Sequence, residues 1–116
     1  MHNYRELTVW QKSRNLNKDI YLLTKSFPEE ERFGVTSQMR RCAHSIASNI
    51  AEGSGRNSDK DICRFLDMAN GSSFELESDL ILCQDIEYIS EEELTLFEDK
   101  VKEIQRMIFS LRRSKQ

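Results

Sequence analysis

Between Ile62 and Ile86, apolar or small residues recur at steps of three and four, with Phe65 and Leu66 adjacent: Ile62, Phe65, Leu66, Ala69, Ser73, Leu76, Leu80, Cys83 and Ile86. That is the period of one face of an α-helix, held for about seven turns. Gly71 lies inside the run without breaking the period, so it reads as a close-packing or bending point rather than a stop. With its flanks the segment comes to roughly 30 residues, a rod of about 45 Å at about 1.5 Å per residue. A rod with one apolar stripe cannot cover that stripe alone. It has to lie against other helices of similar length.

The rest of the chain supplies them. A first helix over residues 8–26 places Trp10, Leu16, Ile20 and Leu23 on one face and ends at Phe27-Pro28, because the residue before proline is pushed out of the helical region. After Glu29-Glu30-Glu31 and Phe33-Gly34, Thr36 is placed to cap a second helix whose core stripe is Met39, Ala43, Ile46 and Ile50, stopped at Gly53 or Gly55. Ser58 followed by Asp61 has the spacing of a capping box and opens the third helix. Ser90 with Glu93 has the same spacing and opens the fourth, where Leu94, Phe97, Val101, Ile104, Ile108 and Leu111 follow at heptad spacing. Glu91–Glu93 and Arg112, Arg113 and Lys115 complement the two ends of its dipole. Only four Gly and one Pro interrupt the 116 residues, and no stretch alternates as a strand does. The expected fold is all-α: residues 1–116 form one domain, an antiparallel up-down four-helix bundle.

Charge is divided along the chain. Residues 1–65 hold eleven Lys/Arg against eight Asp/Glu, residues 66–99 none against eleven, and residues 100–116 six against one, giving +3, −11 and +5 within a net −3. Such a division makes an electrically sided surface, which suits an oriented partner or self-assembly; a solvated helix face is the plainer reading of the acidic block. Cys42, Cys63 and Cys83 are odd in number and about twenty residues apart, and fit neither a disulfide framework nor C-x-x-C spacing. They suit a reducing compartment. The first residues lack the order of a secretory signal, and no apolar run approaches the roughly 20 residues that span a bilayer, so the expectation is a soluble cytoplasmic protein with no membrane partner.

Catalytic chemistry has little to stand on. His2 and His44 are the two histidines, and His44 and Ser45 point about 100° apart on a helix, out of the mutual reach a nucleophile and base need. There is no Glu-x-x-His, H-E-x-x-H or GK[ST] motif. No enzyme activity, cofactor or metal is expected. The second helix says more: opposite its apolar arc stand Gln38, Arg41, Ser45, Ser48, Asn49 and Glu52. These small and amide side chains suggest packing against another subunit, with an ordinary exposed face as the alternative. The following junction, through Gly53, Gly55, Arg56 and Ser58, admits two readings. Free amides with Arg56 and Lys60 suit a phosphate, while a glycine C-cap followed by a serine N-cap needs no ligand. Arg40, Arg41, His44, Arg56, Lys60 and Arg64 form the best basic cluster if the second and third helices are antiparallel neighbours. Phosphate contacts there would be largely independent of sequence, and Glu52 beside Arg41 or Arg56 equally suits a structural ion pair.

The chain resembles the family of four-helix bundles encoded in intervening sequences of bacterial 23S rRNA genes, which includes the accessory variability protein of diversity-generating retroelements. The words that carry the resemblance are Val9-Trp10-Gln11, Ile20-Tyr21, Phe27-Pro28, the run from Phe33 through Gly34 and Gln38 to Arg41, and the run from Ser45 through Asn49 to Gly53. Gly55-Arg56, Phe65-Leu66 and the run from Ala69 to Leu76 continue it, covering roughly residues 5–90. The resemblance implies a homopentameric ring with a central channel. It also implies nucleic-acid binding through basic surface residues and a reverse transcriptase as partner, as in the retroelement relative. The leading expectation is therefore a non-catalytic, ring-forming bundle that binds RNA or DNA electrostatically. The alternatives are an oligomeric scaffold or adaptor for a protein partner, and a bundle enzyme for a small molecule or metal.

Overall fold

Periodicity and capping place four helices in the computed structural model, which describes residues 3–116. His2, one of the two histidines, lies outside the described residues. The helices are α1 (Thr8–Thr24), α2 (Val35–Ser54), α3 (Asp59–Asp85) and α4 (Glu91–Arg113), with short 3-10 turns at Tyr4–Glu6 and Glu29–Glu31. No strand occurs among the described residues.

Side-chain chemistry explains where each helix starts and stops. At α4 the capping box closes in both directions: the Glu93 N–H donates to Ser90 Oγ (3.0 Å) and the Ser90 N–H donates to Glu93 Oε1 (2.9 Å). At α3 only half forms. The Asp61 N–H donates to Ser58 Oγ (3.1 Å), but the aspartate side chain is one methylene shorter and turns to Arg64 (3.0 Å). Thr36 does not cap α2. The turn at Glu29–Glu31 feeds straight into the helix, Gly34 takes the N-cap position, and Thr36 is buried within the first turn. Gly53 is inside α2, and the C-cap is Gly55. The α3–α4 turn closes with Tyr88 N–H to Cys83 O (2.9 Å) and Glu87 N–H to Gln84 O (3.0 Å), with Glu87 at φ 65°. That is a Schellman ending with glutamate in the left-handed position where glycine is favoured.

The helices pack as neighbours in chain order, with α1 against α4 closing the bundle; among the described residues neither diagonal, α1·α3 nor α2·α4, comes into backbone contact. Directions are antiparallel throughout: Lys12 pairs with Glu103 and Asp19 with Lys100 across α1–α4, and Asp67 with Arg112 and Glu77 with Gln105 across α3–α4. The core collects Leu16 and Ile20, Met39, Ile46 and Ile50, Leu66, Leu76 and Leu80, and Val101, Ile104 and Ile108. On α1 the buried stripe is Val9, Ser13, Leu16, Ile20 and Thr24; Trp10 sits half-buried, its ring edge-on to Tyr4 at 4.9 Å. Ser13 and Thr24 satisfy their hydroxyls on the carbonyls of Val9 and Ile20, both at 2.8 Å. The whole measures 43 × 24 × 20 Å.

The glycines exchange the roles the sequence suggests. Gly71 faces open space, with nothing within 4 Å of where a Cβ would stand, whereas a Cβ on Gly53 would lie 2.8 Å from Phe65 Cβ. Close packing between α2 and α3 therefore depends on Gly53. Gly53→Ala is expected to lower stability by about 1–3 kcal/mol through overpacking, read as a lower urea midpoint at unchanged slope.

Candidate nucleic-acid interface

An open groove of about 740 Å3 lies between α1, the start of α2 and the middle of α3. Its basic side chains include Arg32, Arg40, Arg41 and His44. Arg40 is fixed: Nε donates to Thr24 Oγ1 (2.9 Å), Nη2 reaches Tyr21 O (3.4 Å), and the guanidinium lies 4.6 Å over the Tyr21 ring. Arg41 donates to Gln38 Oε1 (2.5 Å), and Gln38 in turn donates to Glu75 of α3. His44 is exposed on the same wall. Arg32 pairs with Glu29 (3.1 Å) and lies 4.6 Å over the Phe33 ring.

The six basic residues singled out from the sequence divide into two groups. Arg56, Lys60 and Arg64 gather at the α2–α3 junction, and Arg40 stands 16 positions from Arg56, about 24 Å along α2. The junction is self-neutralising. Arg56 pairs with Glu52 (3.3 Å) and Asp61 (3.8 Å), Arg64 with Asp61 (3.0 Å), and both guanidiniums cover the buried Phe65 ring at 4.5 and 4.6 Å. Lys60 makes no ion pair among the described residues, but Asp59 and Asp61 occupy the first turn of α3 and already complement its dipole. Little positive charge remains there for a phosphate. The polar arc of α2 also divides. Ser45 Oγ accepts from Ser72 Oγ (2.9 Å) and from Asn49 Nδ2 (3.0 Å), so Gln38 and Ser45 line the seam with α3 inside one chain and buried Asn49 is tied to Ser45 within α2. Arg41, Ser48 and Glu52 of that arc stay exposed.

A second basic feature escaped the sequence reading. On α1, Arg14, Lys18 and Tyr21, with Lys25 just beyond its end, fall within about 60° of arc at about 100° per residue. All four are exposed, and none of the three cations pairs with a carboxylate among the described residues. The spacing i, i+4, i+7, i+11 is the helical signal that would have found them. Tyr21 joins this stripe to Arg40 and the groove.

The model of the 23S rRNA-intervening sequence protein family matches residues 5–110. The chain belongs to that family. The family match extends the resemblance through most of α4, beyond the words that end near residue 90. A solved structure from Bacteroides thetaiotaomicron VPI-5482, described as a protein of unknown function from the S23 ribosomal protein family, is similar. The two are 27% identical with a TM-score of 0.82, over 90% of this chain and 98% of that one. No curated protein matches. Among the described residues no helix is long and apolar enough to cross a membrane, and no three His, Cys, Asp or Glu side chains are grouped to hold a metal ion.

In this member of the 23S rRNA-intervening sequence family, α3 forms the acidic wall of the groove. Burial, then Glu75 and Asp79, push the Cys42 thiol up to about 12, and burial with Asp79 pushes Cys83 to about 11, so both stay protonated and unreactive at neutral pH. Asp79 itself is raised above the usual carboxylate value by burial and by Glu75, and its Oδ2 has no hydrogen-bond partner. A carboxyl whose folded value is raised binds its proton more tightly when folded. Its contribution is complete below the unfolded value of 3.8 and is lost as pH rises through the folded one. Asp79→Asn is therefore expected to raise stability at pH 7 and to flatten the decline of the denaturation midpoint above pH 4, measured by urea titrations across pH 3–8.

Proposed function

We propose that this protein is a non-catalytic, self-assembling bundle that binds RNA or DNA through phosphate contacts on its α1–α2 side. One observation carries the reading: Arg14, Lys18, Lys25, Arg40 and Arg41 gather on that side, and none of them forms an ion pair among the described residues. The carboxylates concentrate on α3 and the start of α4, at another corner. Phosphates need positive charge and donors but no base edges, so such contacts ignore sequence. About four phosphates neutralised on duplex DNA give a log–log salt slope near −4. Retention of a labelled 20-mer between 50 and 200 mM salt is expected to follow such a slope. The double variant Lys18→Glu, Lys25→Glu should lose most of the affinity, and Lys60→Glu with Arg64→Glu should lose little. No retention at 50 mM salt overturns the reading.

Assembly concerns a different face. Phe74, Ile81, Leu82 and Ile86 are exposed along the outer side of α3, together with Met68. Gly71 stands among them, where a glycine costs about 0.5–1 kcal/mol relative to alanine and packs against nothing in its own chain. An apolar helix face of this kind suits a second copy, and a head-to-tail contact of one face on a different face gives a ring where the rotation between copies closes, as the pentamer of the family resemblance requires. On this reading the subunit contact lies on α3, away from the polar arc of α2. Light scattering is expected to return a multiple of the 13.7 kDa chain mass, five-fold for a pentamer. Leu82→Asp should return the monomer. A wild-type monomer at micromolar concentration defeats self-assembly and favours the adaptor reading, with a different protein on α3.

A further inference from the structure

The groove carries two aromatic rings that the bundle does not need. Phe33, 86% exposed, projects between the Glu29–Glu31 turn and α2, outside the core cluster, and Tyr21 is 42% exposed on α1. Neither holds a helix end, since Gly34 starts α2 and Lys25 follows the last turn of α1. Each ring carries a guanidinium at 4.6 Å, Arg32 over Phe33 and Arg40 over Tyr21, and an exposure of 86% leaves the opposite face of Phe33 in water. Arg40 is held in place by Thr24 and the Tyr21 carbonyl, so its platform exists before any ligand arrives. One face of each ring is covered by its guanidinium, and the open face of Phe33 is left free for a flat partner.

Unpaired bases are flat, and they come with phosphates. Stacking on an aromatic side chain contributes about 1–3 kcal/mol per base and tolerates every base, because each has a π-face. A duplex keeps its base faces inside the stack and offers only phosphates, sugars and base edges. A groove of about 740 Å3 lies within the 300–1,000 Å3 range of ligand sites. Ser37, Ser45, Ser48 and His44 add hydrogen-bonding groups along its wall.

We infer that this groove takes single-stranded RNA or DNA, with Phe33 and Tyr21 stacking unpaired bases and Arg40 and Arg41 holding the flanking phosphates. The inference rests on the nucleic-acid reading and narrows it to one ligand class. The decisive experiment compares fluorescence anisotropy of a 12-nucleotide RNA, a 12-nucleotide DNA and a 12-base-pair duplex at one salt concentration, for wild type, Phe33→Ala and Phe33→Trp. Both single strands should bind more tightly than the duplex. Phe33→Ala should weaken them by roughly 5- to 150-fold and leave the duplex unchanged, at an unaltered melting temperature. Phe33→Trp should retain affinity, with indole emission quenched by single strands and not by duplex. Equal binding of all three probes, unchanged in Phe33→Ala, overturns the inference and leaves the electrostatic reading standing. Absence of binding by every probe removes both. A change in particle mass on Phe33→Ala assigns the ring to a contact between copies, and equally overturns the inference.

Discussion

The seam between α2 and α3 sets the geometry of the molecule. Gly53 has no Cβ, which lets Phe65 lie against the α2 backbone, and Ala43, Ala69 and Ser73 are completely buried. Small residues at facing positions allow helix axes to approach closely, and α2–α3 is the most extensive packing in the bundle. Two hydrogen bonds across the seam, Ser72 to Ser45 and Gln38 to Glu75, then fix the register, because a slip by one turn would leave those groups without partners. By contrast α1 and α4 pack least extensively, and the pairs Lys12–Glu103 and Lys100–Asp19 that join them are half-exposed and contribute no more than about 1 kcal/mol each.

That seam decides where charge falls. In a four-membered ring of helices the neighbours of α2 are α1 and α3, so α1 and α3 occupy opposite corners. Helix α1 carries three cations against one carboxylate, and α3 two cations against seven carboxylates. The two cations of α3, Lys60 and Arg64, sit in its first two turns, where Asp61 already absorbs the Arg64 charge. The rest of α3 is purely acidic, which turns a charge division along the chain into a division across the molecule. The groove lies where the two signs meet, and Arg41 reaches Glu75 through the amide of Gln38.

The helices were legible because burial of a face and helical period are one signal, and the stripes of Met39 to Ile50, Ile62 to Cys83 and Phe97 to Ile108 are buried as the spacing requires. Ser58 and Ser90 were legible because a cap is a local pattern. Thr36 was misread since its environment depends on a 3-10 turn leading into the helix, which no two-residue pattern encodes. Gly71 fits the continuity of the α3 stripe but lies on the far side of the helical wheel from it, so angle, not continuity, carried the information. The basic cluster failed as a unit for a different reason. Antiparallel pairing brings Gly53 against Phe65, and Ser45 and Gln38 against Ser72 and Glu75, so Arg40 turns to α1 and Arg41 to Gln38 and acidic α3, while Arg64 lies at the other end. Register between helices is set by side-chain fit, and stripes alone do not contain it. The α1 stripe, which lies within one helix, was fully readable from its spacing.

Distance and screening then decide whether a net charge of −3 opposes a polyanion. The cross-section is 24 × 20 Å, so the outer faces of α1 and α3 are separated by roughly two to three Debye lengths at 0.15 M salt, where that length is about 8 Å. At that ionic strength a phosphate near Lys18 feels the cations of its own corner and little of the carboxylates across the bundle. At 0.01 M the length grows to about 30 Å, beyond the width of the molecule, and the same phosphate feels the whole negative sum. The protein is thus dipolar in cell-like salt and acidic in dilute buffer. What a polyanion meets is the local sign of the α1–α2 corner, and the roughly 17 Å between Arg14 and Lys25 over which that sign persists along α1 sets how many phosphates one subunit can engage.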